Sequence, residues 1–129
     1  MPAPKNECFG KLMLIFAFVV LCAAVLIGAP LALVPQPPHR ALPVLHGAAG
    51  AASLGILVAA ITHSSTRAAM GTAGFDRISA ALLGGTLLLG LLIAARGWRG
   101  RRPNAALIGA HASVAVAGLT LLLAVIALG

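Results

Sequence analysis

The chain is short of acid. Asp and Glu together number 2 among 129 residues, against 9 Lys and Arg. Charged residues make up 9% and hydrophobic ones 60%, with a mean hydropathy of +1.06. Too little charge remains to coat a soluble globule, and too much apolar mass for a disordered tail. Tyrosine is missing, and one Trp and four Phe are the only aromatics. The net charge of +7 invites a nucleic-acid reading. With so few aromatics to stack on bases, and cations at the ends of apolar runs rather than in one patch, nucleic acid is not an expected partner. The cations read as membrane-flanking anchors, with a polybasic contact to lipid head groups as a subsidiary role.

Cysteine is also scarce. Cys8 lies in the N-terminal tail and Cys22 inside an apolar run. A disulfide scaffold, a zinc site, a C-x-x-C redox pair and a c-type haem attachment all lack the residues. Cys22 reads as a small packing residue. No apolar stretch precedes Cys8, so a lipoprotein cleavage site is not expected. A nucleophile–base set, a Gly-rich phosphate loop and any loop of catalytic size are missing too, which argues against an enzyme acting on a soluble substrate.

What the chain does have is four apolar runs, at about 12–34, 42–62, 78–95 and 105–128. Each is close to the ~20 residues that cross a bilayer core. Their interiors carry no Asp, Glu, Lys or Arg, with Glu7 in the tail and Asp76 placed just outside the third run. That argues against proton-coupled export by a small four-span transporter. A signal peptide is the alternative for the first run. Its length, and Pro30 after Gly28-Ala29, make a poor cleavage context. The connections are short and rich in breakers (Pro35-Gln36-Pro37-Pro38, Ser64-Ser65-Thr66, Gly97 to Pro103). The expected fold is all-α: an integral membrane, up-and-down four-helix bundle in one domain. A multi-pass protein of the bacterial inner membrane is expected. Flanking cations divide four against five, and the dense cluster in the third loop favours loops one and three as cytoplasmic.

The second and fourth runs repeat one another at an offset of 65 residues. His46 aligns with His111, small residues follow at matching positions, and Leu54 aligns with Leu119. This pattern points to tandem duplication of a two-helix hairpin. Runs two and four are parallel in an up-and-down bundle, so both imidazoles fall at similar depth, within roughly one turn or ~5 Å. Ionisable groups inside a span are costly and usually functional. Two imidazoles at one level on facing helices suit the opposite axial positions of a porphyrin iron.

The surrounding residues suit a slot. Gly47 adjoins His46, Gly50 and Ser53 lie four and seven residues on, and Ala115 and Gly118 do the same after His111. Gly28 and Gly90 approach that level from runs one and three, and Gly109 precedes His111. The nearer face carries Arg40, Arg96, Arg99, Arg101 and Arg102, a cationic rim for propionates. Helix N-termini there favour anions, with Pro43 expected in a first turn, Pro103-Asn104 at a cap and Trp98 as interfacial anchor.

These residues resemble, in architecture, the haem-bearing membrane bundles of the cytochrome b and cytochrome b561 type. The resemblance implies axial ligation by His46 and His111, and electron transfer. One haem b is expected, because the position 65 residues beyond His63 is Leu128. The expected function is a small b-type membrane cytochrome, or the haem-carrying subunit of a respiratory or dehydrogenase complex. Quinone or a peripheral redox subunit would be its partner, within a larger assembly or a homo-oligomer in the bilayer.

A cofactor-free scaffold, whose histidines only lock helices together, is the alternative. Copper is a lesser option, since no carboxylate, Cys or Met joins the pair and Met13 and Met70 are expected near the opposite face. His63 reads as an interfacial residue at a helix end, or else a quinone or proton-transfer contact. His39 reads as a solvated loop residue or a propionate contact.

Overall fold

The computed structural model describes residues 5–33, 41–63, 73–101 and 104–128. His39, Arg40, Arg67, Met70, Arg102 and Pro103 lie outside the described residues. Four helices follow in chain order: α1 (Lys5–Leu33), α2 (Ala41–His63), α3 (Ala73–Trp98) and α4 (Ala105–Leu128). All four are long and apolar enough to cross a membrane. Among the described residues there is no strand. The chain is a multi-pass membrane bundle.

Helices outrun the apolar windows. α1 begins seven residues before Leu12, and α3 begins five residues before Ile78. Hydropathy marks the lipid-facing part of a helix, whereas a helix stops only where its backbone bonds do. In consequence Asp76 is not outside the third span. It sits in the first turn of α3 and is 2% exposed. A carboxylate there complements the positive end of the helix dipole.

The ends follow local chemistry. Asn104 caps α4, its Oδ1 accepting from the Ala106 amide at 3.0 Å, as expected for an N-cap. α3 stops at Gly100, whose φ of +70° suits glycine. There the Arg101 amide donates to the Arg96 carbonyl at 3.0 Å and Gly100 to Gly97 at 3.1 Å. That pair of bonds is a Schellman stop. Pro43 occupies the first turn of α2.

Packing is tightest within the two hairpins, α1–α2 and α3–α4, and α2–α3 and α1–α4 contacts close the ring. Leu14, Ala17, Leu21, Leu57, Ala60, Leu83, Leu122 and Val125 form the core. The duplication is visible in burial. An offset of 62 carries buried Leu14, Ala17 and Leu21 of α1 to buried Asp76, Ser79 and Leu83 of α3. The offset of 65 carries buried Ser53, Leu57 and Ala60 of α2 to buried Gly118, Leu122 and Val125 of α4. The second hairpin is three residues longer around its turn, which accounts for the two offsets. Elsewhere large apolar side chains such as Phe16, Leu26, Leu88 and Val116 face outward, a surface that suits lipid rather than water.

Candidate functional site

The site begins with a helix carbonyl made accessible. In a helix the carbonyl of residue i points towards residue i+4, so a side chain there helps to shield it. Ala24 is followed four residues on by Gly28, and Thr86 by Gly90. With no Cβ in the way, an imidazole from the neighbouring helix reaches each carbonyl. His46 Nδ1 lies 2.8 Å from the Ala24 oxygen, and His111 Nδ1 lies 3.0 Å from the Thr86 oxygen.

The two contacts are the same contact made twice. The 62-residue offset takes Ala24 to Thr86 and Gly28 to Gly90, while the 65-residue offset takes His46 to His111. A carbonyl oxygen only accepts, so Nδ1 carries the hydrogen in both rings and donates. In a neutral imidazole Nε2 is then the unprotonated nitrogen. A fixed Nδ1–H donation to a carbonyl is the outer-shell arrangement that orients a ligating histidine and raises its basicity.

The fit at the glycines is close. A Cβ added at Gly28 would stand 2.6 Å from His46 Cε1, and one at Gly90 would stand 3.2 Å from His111 Cε1. Both glycines, expected at the histidine level, seat the imidazoles of His46 and His111. Gly118, also read as slot-forming, is buried seven residues from His111 and seats Leu83, whose Cδ2 is 2.9 Å from an added Cβ.

The imidazoles meet across the bundle. Their ring centroids are 5.9 Å apart, with the planes inclined by 66°. Both residues are half-buried. With metal–nitrogen bonds of about 2 Å, and a ring nitrogen roughly 1.1 Å from its centroid, two imidazoles sharing an ion in line stand roughly 6 Å apart. The observed centroid spacing is close to that figure.

The remaining predicted residues divide. A Cβ at Gly47, Gly50 or Gly109 would meet nothing within 4 Å. Ala115, one turn beyond His111, is half-buried. Arg96 is half-buried in the last turn of α3, and Arg99 and Arg101 are exposed just beyond it. Arg40 falls outside the described residues. His63 is exposed in the last turn of α2, at the far end of that helix from His46. Among the described residues no group of three or more His, Cys, Asp or Glu could hold a metal ion.

A second layer lies seven residues away, two helical turns into the bundle. Ser53 Oγ donates to the Ala17 carbonyl at 2.8 Å, and Ser79 Oγ to the Gly118 carbonyl at 3.0 Å. These positions correspond through the same offsets, with donor and acceptor exchanged between the helices. Ala24, Thr86 and Ser79 do not stand out in the sequence by residue type. Their signal is the 62-residue register of α1 on α3, which the glycine pair carries. The chain matches no family model, no curated protein and no solved structure.

Proposed function

We propose that the protein is a small b-type electron carrier of the membrane, or the haem-carrying subunit of a larger redox complex, with His46 and His111 as axial ligands of one haem b. The observation that carries this reading is the pair itself: two imidazoles from the two hairpins, each tied through Nδ1 to a carbonyl of its own hairpin, with centroids 5.9 Å apart.

Haem, when bound, supplies the one-electron couple. The protein's residues do the rest. His46 and His111 present Nε2, and the Ala24 and Thr86 carbonyls fix each ring and make it a stronger donor. Gly28 and Gly90 let the rings sit against the partner helices. With both axial positions taken by histidine, activation of a small molecule is not expected. Arg96, Arg99 and Arg101, with Arg40, would supply cations for propionates. Quinone or a peripheral redox subunit would exchange the electron, and the bacterial inner membrane is the proposed setting.

The test is an absorption spectrum of the chain purified from haem-sufficient cells. A Soret band that shifts on dithionite reduction, with a b-type pyridine haemochrome, is expected. A colourless preparation overturns the reading. The Nδ1–carbonyl bonds also support a second reading, a scaffold in which the histidines only join helices. That protein would be colourless and would lose only stability when they are replaced.

A further inference from the structure

The half-buried pair also has a chemistry of its own without a macrocycle. We propose that His46 and His111 form a two-coordinate site for a bare monovalent d10 ion, Cu(I). The inference uses the ligands of the haem reading but does not depend on that reading. The two occupants would exclude one another.

Ligand number selects the ion. Two nitrogens are too few for Zn(II), which closes a structural site with four ligands. They are too few for Cu(II) as well, which takes a square or tetragonal donor set. Among the described residues no third His, Cys, Asp or Glu joins the pair. Cu(I), with a filled d shell, is satisfied by two donors in line, and imidazole is a suitable donor for copper. The in-line spacing of roughly 6 Å for metal–nitrogen bonds of about 2 Å agrees with the 5.9 Å between centroids.

Charge selects the same ion. The site lies in an apolar bundle, where each added unit of charge is costly. Imidazole binds a metal as a neutral ligand. A monovalent ion therefore leaves one net charge where a divalent ion would leave two. No redox step is involved: copper enters and stays as Cu(I), bound by two nitrogen lone pairs.

The test uses the full chain from haem-depleted cells, with Cys8→Ser and Cys22→Ser introduced to remove sulfur ligands. It is titrated anaerobically with Cu(I) held by a chromogenic chelator. The expected result is one Cu(I) per chain, with X-ray absorption reporting two nitrogen neighbours and no sulfur. His46→Ala or His111→Ala should each weaken binding at least tenfold while circular dichroism keeps its helical signal. His63→Ala should leave binding unchanged. Ag(I) should compete and Zn(II) should not. Failure of the unsubstituted histidine pair to take Cu(I) from the chelator overturns the proposal, as does binding that survives either alanine. A colourless chain that binds Cu(I) keeps this site and removes the haem. A haem-binding chain whose apo form holds no Cu(I) does the reverse.

Discussion

The two hairpins place the same two interhelical bonds at corresponding levels, but they do not build them alike. At the histidine level the copies agree in both donor and acceptor. At the serine level they are reversed: α2 donates to α1 in the first hairpin, and α3 donates to α4 in the second. A buried polar bridge satisfies its requirements whichever helix provides the hydroxyl, because each helix offers carbonyls all along its length. An imidazole that has also to aim Nε2 at its counterpart, as the proposed ligation requires, has no such freedom. The site thus separates a constraint on bonding from a constraint on direction.

The largest effects should come from breaking what the hairpins share. His46→Ala and His111→Ala should each abolish the six-coordinate haem spectrum, and retention of that spectrum in either variant would show that the ligands are wrongly assigned. Gly28→Ala and Gly90→Ala should then rank the copies. An added Cβ comes to 2.6 Å from His46 but only 3.2 Å from His111. Gly28→Ala should cost about 1–3 kcal/mol of stability in detergent, as overpacking does, and lower haem retention, with Gly90→Ala costing less. Equal losses in thermal unfolding would remove the asymmetry.

The serines come next. Ser53→Ala and Ser79→Ala should each cost roughly 0.6 kcal/mol, the usual size of an interhelical bond in a membrane bundle, and should cost the same. A clear difference between their unfolding midpoints would mean that the exchanged bridges are not equivalent. The smallest effect belongs to Gly50→Ala, because a methyl there meets nothing within 4 Å. It should leave apoprotein stability within about 0.5 kcal/mol of the parent. Comparing haem retention with that stability then reports whether the macrocycle uses the space at Gly50.

Much of this was legible in the sequence, and for physical reasons. A bilayer demands a fixed length of apolar helix, so all four helices could be located. A duplicated helix keeps its spacing, so His46 and His111 could be paired across 65 residues. Asn104 and Gly100 mark helix ends through backbone chemistry that needs no distant partner. Asp76 was harder, because hydropathy locates lipid contact and is blind to a polar residue that the bundle itself covers. The role of Gly28 and Gly90 was half legible. Their level could be read, but the group they accommodate depends on which way the imidazole turns. The Ala24 and Thr86 carbonyls were hidden altogether, since every residue has a carbonyl and only a neighbouring helix singles one out.

The central claim is that each hairpin contributes one imidazole to a single shared iron. Near-infrared magnetic circular dichroism of the oxidised protein reads both axial ligands at once. The expected result is the charge-transfer band of a low-spin bis-imidazole haem, lost in His46→Ala and in His111→Ala alike. A high-spin signature, or a second axial ligand other than histidine in the unsubstituted chain, would contradict it.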